Sequence, residues 1–123
     1  MEVRVFTLCD GAYNYNGKLT IVGTVDHIKL PKVPVVATIG VAAKIVFDNT
    51  EAGEKRVSLS FVDDSDSPII PPIEFTTRVD SDGFGNFVLA GNINGLDIKK
   101  YGNYKVVLRI DDYTMDLPFK VVG

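Results

Sequence analysis

The sequence predicts an all-β fold: a single antiparallel two-sheet β-sandwich, immunoglobulin-like, of seven to eight strands spanning residues 1–123. Three observations predict it. Every odd position from Val35 to Phe47 is apolar, and the same period of two recurs at Val57/Leu59/Phe61, at Tyr104/Val106/Leu108/Ile110 and at Tyr113/Met115/Leu117/Phe119/Val121. Such alternation sends successive side chains to opposite faces of a pleated strand. Turn signals separate the runs, at Asn16-Gly17, Asp80-Ser81-Asp82-Gly83, Asn94-Gly95 and Asp111-Asp112,. Finally, no segment of useful length carries the helical period. Short strands at this spacing read as a sandwich, with a jelly roll as the alternative arrangement.

Each element follows from local chemistry. Glu2 to about Leu8 is the first strand, and Cys9–Tyr15 reads as the approach to the Asn16-Gly17 turn. Lys18 to Ile28 is the second strand, interrupted by Gly23, where an interior glycine implies a bulge or a close backbone approach,. Counting back from the Asn16-Gly17 turn, residues whose numbers sum to about 33 face each other, which sets Cys9 opposite Thr24,. Pro31 and Pro34 bracket a loop. The run Val35–Phe47 would extend ~43 Å at ~3.3 Å per residue, so a bend near Gly40 or an irregular start before Ile39 is expected,.

The polar turn Asp48–Glu54 leads to strand Lys55–Val62, and Asp63–Pro72 is a loop ending in extended Pro71-Pro72,. Strands Ile73–Val79, Phe84–Ile93, Tyr104–Ile110 and Tyr113–Val121 complete the chain. Pro118 lacks a ladder donor and belongs at an edge or bulge,. The stretch Leu96…Tyr101-Gly102-Asn103-Tyr104 resembles the corner before strand F of immunoglobulin-like sandwiches, although the chain has no tryptophan and carries Val106 where antibody domains have cysteine,.

Composition narrows the function classes. With 46% hydrophobic residues in 123, the chain buries a core without disulfide or metal,. Its net charge of −3 argues against nucleic acid and anionic membranes as general partners,. The lone cysteine, Cys9, fits a reducing compartment, the first residues lack the apolar core of a secretory signal, and no run is long enough for a membrane helix,. A cytoplasmic setting is therefore expected.

Chemistry-bearing constellations are sparse. Cys9 and the only histidine, His27, fall several residues apart in the predicted hairpin, which argues against a catalytic dyad. If strands run end to end, Asp10, Asp48, Glu51, Asp80, Asp82, Asp111 and Asp112 gather at one pole and Asp63, Asp64, Asp66 and Asp97 at the other. Such carboxylates could hold calcium, yet Asp80–Gly83 lacks the spacing of an EF-hand loop, and aspartate favours turns for local reasons. A ligand-binding loop is the better candidate: Asp10, Tyr13, Asn14 and Tyr15, with Tyr101 as a neighbour, offer aromatic faces beside amides,.

Leu8-Cys9-Asp10-x-Ala12 followed by Gly17-Lys18-Leu19-x-Ile21-Val22-Gly23-Thr24 resembles a widespread family of small uncharacterised bacterial all-β proteins, a domain of unknown function. Ile69-Ile70-Pro71-Pro72 and Tyr101-Gly102-x-Tyr104 are similar to that family's pattern as well. The resemblance implies a single all-β domain and carries no activity over. The expectation is a non-catalytic binding or interaction module with no cofactor and no metal, a protein partner being favoured, a homodimer included. The rival is a calcium-dependent or carbohydrate-binding domain, or a small hydrolase using one carboxylate-rich pole.

Overall fold

The computed structural model describes residues 1–80 and 85–123. The expected turn at 81–83 and the expected start of a strand at Phe84 lie outside the described residues. Among the described residues nine strands are present: β1 (Glu2–Tyr15), β2 (Lys18–Val25), β3 (His27–Lys29), β4 (Val35–Val46), β5 (Gly53–Asp63), β6 (Ile73–Val79), β7 (Asn86–Ile98), β8 (Gly102–Ile110) and β9 (Tyr113–Val122). They form a four-stranded sheet, β2-β1-β4-β7, and a five-stranded sheet, β3-β9-β8-β5-β6.

The count exceeds the seven to eight expected because the run Lys18–Ile28 divides. β2 pairs with β1 in one sheet, and after Asp26 β3 joins β9 in the other, in parallel rather than antiparallel fashion. Alternation shows which side chains share a face, and it is silent on which strand lies alongside. Pro118 sits where β9 is an edge, since β3 covers only Lys120–Val122.

The apolar phases meet between the sheets. Leu8, Val41, Ala43, Ile45 and Leu96 pack against Val57, Leu59, Phe61, Val106, Leu108 and Val121, with Phe47 and Phe61 among the largest fully buried side chains. The Tyr104 hydroxyl, at the start of β8, donates to the Lys100 carbonyl at 2.6 Å, and its ring stacks on Phe119. β4 pairs with β7 along its whole length. Its irregularity falls between Ala37 and Thr38, before Ile39, and β4 stays within one sheet. The cause is Gly95 on β7, at φ +89 and left without a partner between Asn94 and Leu96. Asn94-Gly95 is thus a bulge in a continuing strand, where a turn was expected.

β1 also runs past its expected end at Leu8. It pairs with β4 from Glu2 to Cys9, where Cys9 meets Gly40, and with β2 from Leu8 to Tyr15. Beyond Cys9 the β1–β2 ribbon leaves the plane of the sheet and lies across the outer face of β4 and β7. Gly40 permits the crossing: a Cβ there would stand 2.8 Å from Cys9 Sγ and 3.1 Å from Gly11 Cα. Cys9, Ala12 and Ala42 form a second, small cluster, joined by Leu19, Ile21 and Ala90. So the bend near Gly40 belongs to the neighbouring strand and not to β4.

Candidate functional site

The folded-over ribbon carries most of the residues that sequence alone singles out. Its turn is set by Asn16 at φ 51 and Gly17 at φ 79, the two left-handed residues of a tight hairpin, and Gly17 N–H donates to Asn14 Oδ1 at 2.9 Å,. Register follows the expected sum of 33 throughout, with Cys9 opposite Thr24, Ala12 opposite Ile21 and Tyr13 opposite Thr20. Gly23 causes no register shift. It is a close approach, at φ +63, where a Cβ would stand 2.5 Å from Asp10 Oδ2.

Alternation then assigns the two faces. Ala12, Leu19 and Ile21 turn toward the sheet beneath. Gly11, Tyr13 and Tyr15, with their partners Val22, Thr20 and Lys18, turn outward. Tyr13 is 53% exposed, Tyr15 69% and Val22 55%. The Tyr13 ring lies down over Gly11: a Cβ on that glycine would stand 2.9 Å from the Tyr13 hydroxyl oxygen and 3.0 Å from Cε2. One ring face therefore rests on backbone while much of the ring stays in solvent.

A polar clamp holds the ribbon down. The Asn92 side chain on β7 accepts from Ala12 N–H at 3.2 Å and donates to Ala12 C=O at 2.9 Å. One amide thus replaces the strand partner that β1 loses when it leaves β4. Sequence reasoning misses Asn92, which lies 80 positions from Ala12 and reads as one more polar residue on a strand. It also misses Val22, although the sum-of-33 register places that residue opposite Gly11 and beside Tyr13.

The remaining candidates disperse. Asp10 is exposed at the bend beside Gly23, and Asn14 closes its own turn. Tyr101 belongs to the loop between β7 and β8, where its hydroxyl donates to the Leu30 carbonyl at 3.0 Å and its ring borders Gly123. Cys9 is fully buried, and that burial raises its thiol pKa. His27 is exposed on β3, in the other sheet, with Nδ1 2.7 Å from Asp26 Oδ1. The contact to His27 lowers the pKa of Asp26.

Several of the acidic residues are engaged in contacts of their own. Asp48 caps a single 3₁₀ turn, Asn49–Glu51, by accepting from Thr50 N–H, and the Thr50 hydroxyl lowers its pKa. Glu51 accepts from Asp48 N–H and from the amino terminus of Met1, whose ammonium lowers its pKa. Asp63 receives the backbone N–H groups of Ser65 and Ser67. Asp64 faces Lys100 at 2.9 Å and Asp66 faces Lys105 at 2.8 Å. Among the described residues, no three His, Cys, Asp or Glu side chains converge as a metal site would require. Asp82 lies outside them.

Among solved structures, a β-glucosidase from Listeria innocua in complex with glucose is similar over 99% of this chain, at 9% identity and a TM-score of 0.49; the chain spans 16% of that structure's length. No curated protein matches the chain in sequence. A family model of unknown function does match, from Arg4 to Val122, covering the motifs around Cys9-Asp10 and Gly17-Lys18-Leu19; the chain belongs to that family of unknown function, DUF6941.

Proposed function

We propose that this chain is a non-catalytic binding module and that the outer face of the β1–β2 hairpin is where it takes a protein partner. The observation that carries the reading is the grouping of Tyr13, Tyr15 and Val22, three large apolar side chains 53–69% exposed, on one face of one ribbon. Aromatic side chains on a rigid support offer contact area at low entropic cost, and buried tyrosines are frequent anchors of protein interfaces. The ribbon is held by the Asn92 clamp and the Cys9/Ala12/Ala42 cluster, so the face exists before binding. A flat two-stranded surface suits a macromolecule better than a small ligand, which needs an enclosing cleft.

A non-catalytic reading is supported by the separation of the only thiol, buried, from the only imidazole, on the other sheet. Two features support an immunoglobulin-like assignment of the sandwich over a jelly roll: the parallel pairing of β3 with β9, and the Tyr104 hydroxyl returned to the Lys100 carbonyl,.

The test compares capture from a lysate of the source organism by the wild-type chain and by the Tyr13→Ser/Tyr15→Ser variant, both shown by melting to be folded. The expected result is a set of proteins retained by the wild type and lost by the variant. Identical retention by both, or no specific retention by the wild type, overturns the proposal.

A further inference from the structure

The outer face of the five-stranded sheet, on the opposite side of the sandwich, carries a diagonal row of arginines. The chain has four arginines, Arg4, Arg56, Arg78 and Arg109, and three of them share this face. Arg56 pairs across the ladder with Thr76, and Arg78 pairs with Glu54, so Arg78 is the diagonal neighbour of Arg56 on β6. On the other flank Ser58 pairs with Arg109, which makes Arg109 the diagonal neighbour of Arg56 on β8. All three are exposed, and among the described residues none has a carboxylate within ion-pair distance.

Part of the row is pre-set. Arg109 Nε donates to the Asp111 carbonyl at 2.9 Å, which fixes the guanidinium and leaves its terminal N–H groups free. Asp111 itself is engaged: Oδ1 accepts from Arg56 N–H at 2.9 Å, and Oδ2 lies 3.7 Å from Lys55 Nζ. Arg56 and Arg109 line one groove together with Ser58, Thr76 and the carboxylates Glu74, Asp111 and Asp112. Guanidinium groups stay charged at all accessible pH values and are shaped to grip oxyanions in bidentate fashion. Three of them in a diagonal row, without ion-pair partners among the described residues although Glu54, Glu74, Asp111 and Asp112 stand around them, present free guanidinium N–H groups to an incoming carboxylate,.

Spacing selects the class of ligand. Diagonal neighbours on one sheet face stand ~7–8 Å apart, and alternate side chains of an extended peptide repeat at about 6.6 Å. A segment with carboxylates at every second residue would therefore offer one oxyanion to each arginine. Glu54 and Glu74 flank the row, and they disfavour an unbroken polyphosphate while accepting the uncharged or basic residues between the carboxylates. The described outward positions of β5, β6 and β8 around the row include Glu54, Ser58, Ser60, Glu74, Thr76 and Val107, none of them an aromatic platform on which bases could stack,.

We infer that the Arg78–Arg56–Arg109 row is a docking site for an extended acidic peptide segment, independent of the hairpin face. The probe is a fluorescein-labelled peptide with aspartate at alternate positions, Asp-Ser-Asp-Ser-Asp, followed by anisotropy, beside its Asn-for-Asp counterpart and an oligothymidylate. Binding of the aspartate peptide is expected, weakened at least tenfold by Arg56→Gln/Arg109→Gln, several-fold by Arg78→Gln, and unaffected by Arg4→Gln on the other sheet. Absence of binding at millimolar peptide, equal binding of the Asn peptide, or persistence in a folded Arg56→Gln/Arg109→Gln variant overturns the inference. Preferential binding of the oligothymidylate overturns it in favour of nucleic acid. Should that double variant fail to fold, amide chemical-shift changes in the wild type decide: shifts at Ser58, Thr76 and Arg109 support the site, and shifts elsewhere reject it.

Discussion

The two outer faces of this sandwich are built from the same pleat and serve opposite ends. On the four-stranded sheet the outward residues at the centre are Gly40, Ala42, Ala90 and Asn92, small or amide-bearing, and a hairpin folds over them. On the five-stranded sheet the corresponding positions are Arg56, Ser58, Thr76 and Arg109, long or hydroxylated, and none of the described strands covers them. The inward phases of both sheets are dominated by Val, Leu, Ile and Phe, with Ala37 and Ala43 on one sheet and Tyr104 on the other. The clearest chemical difference between the two halves of the molecule lies in the outward phase.

The strongest way to break that comparison is to enlarge one residue on each face. In Gly40→Val the new side chain meets Cys9 Sγ and the Gly11 backbone, neither of which can yield without lifting the ribbon. Overpacking of this kind costs about 1–3 kcal/mol, read as a lower urea midpoint in chemical denaturation. Ser58→Val, also outward and central, meets open groove and should stay within about 0.5 kcal/mol of the wild type,. Equal costs for the two would mean that the hairpin is not seated on Gly40.

A smaller and sharper contrast lies within β7. Asn92→Ala strips Ala12 of both backbone partners, and loss of such bonds costs about 1–2 kcal/mol at a partly solvated site. Asn94→Ala, two residues along the same face, removes only a contact between its Oδ1 and the Thr38 hydroxyl at 3.2 Å, and should cost less than about 0.5 kcal/mol. Hydrogen exchange at Ala12 N–H should accelerate in the first variant and stay unchanged in the second.

These contrasts show which parts of the fold were legible in the residues. The inward phase announced the strands, the Asn16-Gly17 turn fixed the β1–β2 register, and Tyr104 advertised its corner, because each is decided by neighbours close in sequence or by a strict period. The hairpin's departure from the sheet was not legible. Cys9–Tyr15 reads as the approach to the Asn16-Gly17 turn, and its course across the sheet depends on Gly40 and Asn92, which are distant in sequence. The division of β2 from β3 was hidden for a related reason, since a strand's alternation survives its passage between sheets. Of the candidate residues, Tyr13 and Tyr15 were singled out by type and both lie exposed on the hairpin's outward face; Tyr101 was grouped with them by type as well, and its hydroxyl serves the Leu30 carbonyl instead. The arginine row could be recognised only once β5, β6 and β8 had been set side by side.

The smallest expected effect concerns acid, and it separates the charged loops from both faces. Asp48, Glu51 and Asp64 all have lowered pKa values in the folded chain, through the Thr50 hydroxyl, the terminal ammonium and Lys100 respectively. A carboxyl that holds its proton less tightly when folded stabilises the fold above its unfolded pKa, near 3.8 for Asp and 4.5 for Glu, and that contribution is lost as pH falls through the lower folded value. Lys100 has the opposite shift, raised by Asp64, so its contribution is present below its ordinary value of 10.5 and lost only as pH rises past the folded one,. The Asp64–Lys100 pair therefore contributes across the neutral range and fails at both extremes. Because these groups are exposed, each contribution is screened by solvent and salt. Asp64→Asn should flatten the acid limb of the melting temperature measured from pH 6 to pH 2.5, and 0.5 M salt should blunt the same limb in the wild type. Neither change should alter the Gly40→Val or Asn92→Ala penalties, which arise from packing and from neutral hydrogen bonds. A variant whose acid limb matched the wild type would show that the Asp64–Lys100 contact leaves the folding equilibrium untouched.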